Sequence, residues 1–297
     1  MTGMIYPAII MGGLGLIFGA LLAYASKAFY VEVDPRQIQV RTVLPGANCG
    51  GCGYAGCDGY AEAVVAGEAP ITSCAAGGSV LVERLSEILG VEASGDEPKV
   101  AFLKCQGSPE KTVKDSVYYG FADCRQAAVV PGKGPNACRF GCLGLGTCAR
   151  VCVFGAMSIR DGLAVVDIEK CVGCGTCVAQ CPREVLSLVP RKTKVQVACS
   201  SPLRGPDVKK ACSVGCIGCT MCVRSCPVQA IEMKGALAEI HVEKCINCGV
   251  CVSKCPTKCI IDRRSKWERE QAEKTLCEIN AEKEAAAQKE TETKPAE

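Results

Sequence analysis

The chain has 297 residues, 26 of them cysteine, and a formal net charge of +3. Cysteine at this density is typical of small secreted disulfide scaffolds, but those chains are much shorter, so metal or cluster binding is the better interpretation. The near balance of charge gives no global attraction to nucleic acid, and we expect no nucleic-acid partner. The one histidine, His241, excludes a Rieske centre and a zinc finger with two histidines. We expect His241 on the surface.

The N-terminal region predicts a membrane anchor. Residues 5–26 contain no charged side chain, and 22 helical residues at about 1.5 Å each cross a hydrocarbon core of about 30 Å. A cleaved signal peptide is the alternative, but residues 1–4 carry no Lys or Arg and the apolar stretch is too long. Lys27, Arg36 and Arg41 follow the helix, so the positive-inside rule places the C-terminal bulk in the cytoplasm. The expected location is the cell (inner) membrane, single-pass, where cytoplasmic thiols stay reduced.

An internal repeat organises the rest of the chain. Residues 138–190 and 212–264 align with an offset of 74, and eight cysteines coincide. Between the cysteine motifs, each copy alternates apolar and polar residues around a turn, at Asp161-Gly162 or at Lys234-Gly235. This pattern predicts one short β-hairpin in each copy.

Three cysteine runs of the form C-x2-C-x2-C-x3-C-P begin at Cys171, Cys216 and Cys245. In this bacterial ferredoxin run, three thiolates hold one [4Fe–4S] cluster and the fourth reaches its neighbour. Zinc is the alternative, but structural zinc sites use pairs of C-x2-C knuckles. The crossed ligation predicts three clusters. The third is held by Cys171, Cys174, Cys177 and Cys152, the fourth by Cys216, Cys219, Cys222 and Cys255, and the fifth by Cys245, Cys248, Cys251 and Cys226.

The first copy departs from the ferredoxin pattern, because Val153 replaces the usual proline and the leading motif is more widely spaced. We expect a second cluster there, held by Cys138, Cys142, Cys148 and Cys181. Cys138 is the weakest member of this set, because its repeat partner Cys212 is surplus in the other copy.

A further motif lies nearer the N-terminus, where Cys49, Cys52, Cys57 and Cys74 fall within 26 residues. The intervening glycines let the backbone bend around a cluster, and residues 58–67 predict a helix over it. This is the first cluster.

Six cysteines remain. We expect Cys277, in the charged tail, to be free, and Cys259 to be a buried apolar residue beside a cluster. The other four are hypothesised to hold a sixth [4Fe–4S] cluster, with four unrelated buried thiols as the alternative. They are Cys105, Cys124, Cys199 and Cys212.

The expected fold is α+β: a single N-terminal transmembrane helix, a small 4Fe-4S domain and two tandem bacterial-type two-[4Fe–4S] ferredoxin modules. The predicted domains are an anchor (1–30), a 4Fe-4S domain (31–95), a connecting segment (96–137), ferredoxin module 1 (138–190), a linker (191–211), ferredoxin module 2 (212–264) and a charged tail (265–297). The tail is expected to be a solvated helix or disordered.

The anchor, the motif CGGCGYAGCDGYAEAVVAGE and the modules closing on CPTKCI together resemble the B-subunit of the Rnf complex. That family is part of a membrane-bound, ion-translocating ferredoxin:NAD+ oxidoreductase, and the resemblance covers residues 1–264. The motif CGGCGYAGC alone is shared with corrinoid iron–sulfur proteins. The resemblance implies a translocase subunit, transporting Na+ or H+, that takes electrons from soluble reduced ferredoxin. It passes them to other membrane and peripheral subunits and so toward NAD+.

Other parts of the sequence are consistent with a chain whose only function is electron transfer. It has no G-x-G-x-x-G after a strand and no phosphate-binding loop, so we expect no flavin or NAD on this chain and no catalytic residue. We hypothesise that the two modules form the intake and that the first cluster is the exit to the membrane. Lys104, Lys133, Arg139 and Arg150 either steer an acidic ferredoxin or are simply solvated.

Three alternatives remain open. The first is a related membrane complex that reduces a redox-sensing transcription factor. The second is another membrane dehydrogenase or hydrogenase, and the third is a metal-binding scaffold without redox function.

Overall fold

A computed structural model describes residues 2–29, 34–92 and 97–292. Helix α1 (Thr2–Ala28) begins the chain, and its segment Ile10–Ala28 has a mean hydropathy of 1.5. It is the one helix among the described residues that is long and apolar enough to cross a membrane. From Ile10 onward its large apolar side chains are exposed. They therefore contribute nothing to the protein core.

A small helical domain follows the anchor. It contains α2 (Pro35–Val43), α3 (Gly56–Val65) and α4 (Gly78–Leu89). Asp34 caps α2, because its carboxylate accepts a hydrogen bond from the Arg36 N–H at 2.8 Å. The three helices bury a common core that includes Val40, Tyr60 and Leu85. The helix expected over residues 58–67 is thus present as α3, two residues earlier at each end.

The segment between this domain and the repeat contributes two elements, β1 (Lys99–Leu103) and α5 (Cys124–Val129). The first copy of the repeat then has α6 (Thr147–Arg150), β2 (Met157–Arg160), β3 (Leu163–Val166), α7 (Thr176–Ala179) and β4 (Leu186–Pro190). Between the copies lie β5 (Val195–Val197) and α8 (Gly205–Ala211). The second copy has α9 (Met221–Arg224), β6 (Ile231–Lys234), β7 (Leu237–Ile240), α10 (Val250–Lys254) and β8 (Ile260–Asp262).

Both copies contain the expected hairpin. Strands β2 and β3 pair antiparallel around Asp161-Gly162, and β6 and β7 pair antiparallel around Lys234-Gly235. Gly162 and Gly235 have φ of 67° and 62°, a conformation that favours glycine. The repeat seen in the cysteines is therefore also a repeat of elements.

Each copy also pairs with a strand from outside it. Strand β1 lies antiparallel to β4, with Leu103 opposite Leu186, and β5 lies antiparallel to β8, with Val197 opposite Ile260. The two sheets meet in a small core formed by Val100, Phe102, Val189 and Ala198. Residues 96–137 and 191–211 are thus partly built into the two copies.

The C-terminal tail is helical in the part that the structure describes, as α11 (Lys266–Glu292). A capping box starts it: the Ser265 N–H donates to Glu268 Oε2, and the Glu268 N–H donates to Ser265 Oγ. Lys194 forms an ion pair with Glu268 at 3.3 Å. The helix is anchored at its first turn, and Cys277 further along is exposed.

Candidate iron–sulfur sites

The first site contains Cys49, Cys52, Cys57 and Cys74, which line one small cavity together with glycines. Cys57 lies in the first turn of α3, and its N–H donates to Asn48 Oδ1 at 2.8 Å. Asn48, Gly50, Gly53 and Gly56 all have positive φ, so the loop turns back repeatedly around the cavity. The structure therefore brings together the four cysteines that the sequence analysis grouped as the first cluster.

The third, fourth and fifth sites also gather the expected cysteines. In the third, Cys177 lies close enough to Cys174, Cys171 and Cys152 to interact with them electrostatically. In the fourth, Cys216, Cys219, Cys222 and Cys255 line one cavity, and in the fifth Cys226, Cys245, Cys248 and Cys251 line another. Each site takes three cysteines from one motif and the fourth from the partner motif.

The expected positions of Cys124 and Cys138 need correction. Cys142 interacts electrostatically with Cys124 and Cys181, and Cys148 interacts with Cys142, Cys124 and Cys181. The structure thus groups Cys142 and Cys148 with Cys124 and Cys181. Cys138 lies instead beside Cys199 and Cys212.

Local contacts explain why Cys124 lies there. Asp123 caps α5 through the N–H groups of Arg125 and Gln126, and it also pairs with Arg150 of α6 at 2.9 Å. The Cys124 N–H donates to Thr147 Oγ1 at 2.7 Å. These contacts tie the start of α5 to the helix that carries Cys148.

Cys138 lies instead in a sixth site, with Cys105, Cys199 and Cys212. These four thiols line one cavity together with Cys142, and Cys138 interacts electrostatically with Cys199 and Cys212. The Ala137 N–H donates to Val113 O at 2.8 Å, and Thr112 forms a bridge with Cys212. The strand-like contacts at residues 112–114 therefore hold Cys138 close to Cys212.

The sixth site lies between the two copies of the repeat. The Cys142 N–H donates to Cys105 Sγ at 3.4 Å, which joins it to the second site. On its other side, Cys199 packs against the core cluster that contains the buried Cys259, and Cys259 also lines the cavity of the fourth site. Both modules thus contribute residues to the lining of the sixth site.

The donor set suits iron–sulfur clusters. Backbone N–H groups point at the thiol sulfurs: Ala101 at Cys171 (3.4 Å), Ser201 at Cys199 (3.5 Å) and Ala230 at Cys226 (3.2 Å). Among the described residues, no three His, Cys, Asp or Glu side chains converge as they would around a single metal ion. The thiols line small cavities, and four cysteine thiolates are the ligand set of a [4Fe–4S] cluster.

Burial affects the thiol groups strongly. It raises the pKa of Cys105, Cys148 and Cys251 to about 12 and that of Cys177 to about 11. Hydrogen bonds from Cys259 lower the pKa of Cys199 and Cys216 to about 6. Because bound iron requires thiolates, cluster assembly must release protons from the buried thiols.

Charged side chains also brace the sites. Arg264, which is 8 % exposed, pairs with Asp262. Its Nη1 donates to the carbonyl oxygens of Asn247 and Cys248, both at 2.9 Å, and so fixes the loop of the fifth site. His241 lies outside the six sites, half-exposed and bonded to Glu232 Oε2 at 2.9 Å.

The first and third sites touch. Gly51 packs against the backbone of Cys174, which also lines the cavity of the first site. The Thr176 hydroxyl donates to Cys49 O at 3.4 Å. The small helical domain therefore contacts the first copy of the repeat directly at a cysteine loop.

Three family models match the chain. A putative Fe-S cluster family matches residues 44–76, a 4Fe-4S binding domain matches 164–187 and a 4Fe-4S dicluster domain matches 215–259. The fold and these matches define an iron–sulfur protein with ferredoxin-like 4Fe-4S domains and mixed helix and strand content.

Curated relatives identify the family. Over 245 residues the chain is 46 % identical to the B-subunit of the Na(+)-translocating ferredoxin:NAD(+) oxidoreductase complex of Acetobacterium woodii, covering 82 % of this chain and 73 % of the relative. It is 44 % identical to the B-subunit of the proton-translocating ferredoxin:NAD(+) oxidoreductase complex of Clostridium ljungdahlii, covering 81 % and 85 %. It is 43 % identical to the B-subunit of an ion-translocating oxidoreductase complex of Methanosarcina acetivorans, covering 79 % and 89 %. The chain belongs to the family of Rnf complex B-subunits.

Proposed function

We propose that this chain is the iron–sulfur electron-transfer subunit of an ion-translocating ferredoxin:NAD+ oxidoreductase complex. The observation that carries the proposal is the arrangement of 24 cysteines in neighbouring groups of four across the small helical domain and the two repeat copies. Bound [4Fe–4S] clusters supply one-electron transfer, and the protein sets their spacing, potential and access.

The contacts order the six sites. The fifth and fourth sites share the second copy of the repeat, and the second and third share the first copy. The sixth site lies between the copies, and the third touches the first through Gly51 and Cys174. The proposed route therefore runs from the fifth site through the fourth, sixth, second and third to the first.

We assign the two ferredoxin modules, residues 138–190 and 212–264, to the intake of electrons from soluble reduced ferredoxin. The first site is the exit, because its domain follows the apolar helix α1 within a few residues. The helix is a single-pass anchor in the cell membrane. Lys27 in its last turn and Arg36 and Arg41 beyond it keep the six sites in the cytoplasm. Other subunits of the complex carry NAD+ reduction and the ion path.

The first experiment counts iron and acid-labile sulfide in the complex purified without oxygen, and then adds reduced ferredoxin. Six clusters require about 24 of each per chain, whereas five require about 20. We expect about 24, with bleaching of the visible absorption when reduced ferredoxin is added. Stoichiometric zinc with little iron, or iron that reduced ferredoxin cannot reduce, would contradict the proposal.

The assignment of Cys138 to the sixth site is tested by pairs of alanine substitutions. Cys138→Ala and the double variant Cys138→Ala/Cys212→Ala should each lose one cluster, about four irons, because both residues serve the same site. Cys138→Ala/Cys124→Ala should lose about eight irons, because it removes a ligand from each of two sites.

A different pattern of iron loss would support the grouping predicted from the sequence, in which Cys138 serves the second site and Cys124 the sixth. In that case Cys138→Ala/Cys212→Ala would lose about eight irons and Cys124→Ala/Cys212→Ala about four. The exposed Cys277 provides the matched control, and Cys277→Ala should lose none.

A further inference from the structure

An ion pair at the end of the second repeat copy is largely buried. The side chains of Arg264 and Asp262 are 8 % and 15 % exposed, and they meet through two hydrogen bonds of 2.9 Å, from Nε and from Nη2. Arg269 of α11 adds a contact to Asp262 at 3.2 Å. Because burying charged groups is costly, such a pair is weak evidence for stability, and its place in the fold points to another role.

The guanidinium of this pair lies against the loop of the fifth site. Its Nη1 donates to the carbonyl oxygens of Asn247 and Cys248, both at 2.9 Å. A Cβ added at Gly249 would collide with the same guanidinium. Cys248 and Gly249 both line the cavity of the fifth site. Since Asp262 binds the other two nitrogens, the ion pair turns its positive end toward the loop that carries a cluster ligand.

The first repeat copy has a different pair of residues at the equivalent positions. The offset of 74 aligns Asp262 with Leu188 and Arg264 with Pro190. A Cβ added at Gly175, in the loop of the third site, would meet Leu188 Cδ1 at 3.6 Å. The third and fifth sites have the same cysteine spacing, but an apolar side chain lies beside the loop of the third and a cation beside the loop of the fifth.

We propose that Arg264 raises the reduction potential of the fifth cluster by holding a permanent positive charge against the backbone of its ligand loop. This rests on the proposed function, since it requires the fifth site to hold a cluster. Arg264 is a positioning residue, because it acts on the cluster through the carbonyl groups of Asn247 and Cys248. A guanidinium stays protonated in proteins, so the effect does not depend on titration.

The two charges of the ion pair have opposite effects on the cluster. A reduced cluster carries one more negative charge than the oxidised cluster, so a nearby cation stabilises the reduced state more and raises the reduction potential. Burial limits the screening of this attraction by water and salt. The Asp262 carboxylate opposes it. Removing the cation should therefore lower the potential and removing the carboxylate should raise it, whereas loss of a purely structural brace would not reverse the sign.

The test compares Arg264→Gln, Arg264→Lys and Asp262→Asn in the assembled complex, by iron content and by redox titration followed with EPR. Arg264→Gln should keep full iron while the reduction equilibrium of one cluster falls about tenfold, or about 59 mV for one electron. Arg264→Lys, which retains the charge, should restore most of that loss, and Asp262→Asn should shift the same cluster in the opposite direction. The control Lys234→Gln removes a positive charge from an exposed ion pair of the same module and should change neither quantity.

The shifted cluster should be the one that Cys248→Ala removes, since that variant lacks a ligand of the fifth site. Shifts of the same sign in Arg264→Gln and Asp262→Asn, or unchanged potentials in both, would overturn the proposal.

Asp262→Asn also decides the case in which Arg264→Gln loses about four irons, because Arg264 keeps its contacts to the loop there. A raised potential in Asp262→Asn then supports the proposal and an unchanged one overturns it. Failure of the proposed function is distinguishable, because it would be seen in the wild-type complex, as clusters that are absent or not reduced by ferredoxin.

Discussion

Substitution of Cys57 by Ala should abolish electron delivery to the membrane partners while leaving the other clusters reducible by ferredoxin. Cys57 is buried in the first turn of α3 and is one of four thiols around the first site. Without it, that site has three thiolates and an apolar side chain at the fourth position. Ferredoxin-driven NAD+ reduction in membranes should fall to the level found without this chain.

The measurement follows NAD+ reduction in membranes and EPR of the reduced clusters in the same samples. Cys277→Ala, at an exposed cysteine outside the six sites, should keep wild-type turnover. Full turnover in Cys57→Ala would show that electrons leave by another site. Loss of EPR signal from all six sites would instead show that the substitution had unfolded the protein.

For four of the six cysteine groups, the prediction rests on local spacing, and the structure brings the same cysteines together. In the ferredoxin runs, three cysteines are fixed on one tight loop, and the crossover fourth ligand follows from the hairpin between paired motifs. The same holds for the first site, where four cysteines lie within 26 residues. These groups depend on short-range geometry, which one sequence carries by itself.

The second and sixth sites depend on long-range contacts, and there the structure groups Cys124 and Cys138 differently from the sequence-based prediction. The alignment of the two repeat copies nevertheless indicated that the first copy lacks one ligand. Leu145 stands in the first copy where the second copy has Cys219, so one thiol of the second site must come from elsewhere. Cys124 supplies it through the Asp123 cap and the hydrogen bond to Thr147. Nothing in the spacing of Cys124 indicates that contact.

The same offset makes Cys138 and Cys212 equivalent, and the structure places them together. Their partners are equivalent too, since Cys105 follows β1 closely and Cys199 follows β5 closely. Strands β1 and β5 pair with the last strands of their copies, β4 and β8. The sixth site is thus built from two matching pairs, one from each copy. Its assembly required strand pairings across 83 or more residues at β1 and β4, beyond what local pattern can predict.

Disrupting the contact between the first and third sites is the second change for which we expect a large effect, on the rate of electron transfer to the first site. A Cβ at Gly51 would lie 2.5 Å from the Cys174 carbonyl oxygen and 2.9 Å from Cys174 Cβ. The obstacle is mostly backbone, which cannot move aside as a flexible side chain can. The Gly51 backbone lies outside the left-handed region, so an alanine there meets Cys174 without being strained by its own conformation.

Gly51→Ala should therefore separate the small helical domain from the first repeat copy while each keeps its own clusters. Because electron tunnelling weakens steeply with distance, stopped-flow reduction of the first cluster by ferredoxin should slow several-fold, with iron content unchanged. Gly59→Ala is the matched control, since it lies in α3 of the same domain and a Cβ there meets nothing within 4 Å. A wild-type rate in Gly51→Ala would mean that electrons reach the first site by a route that does not cross this contact.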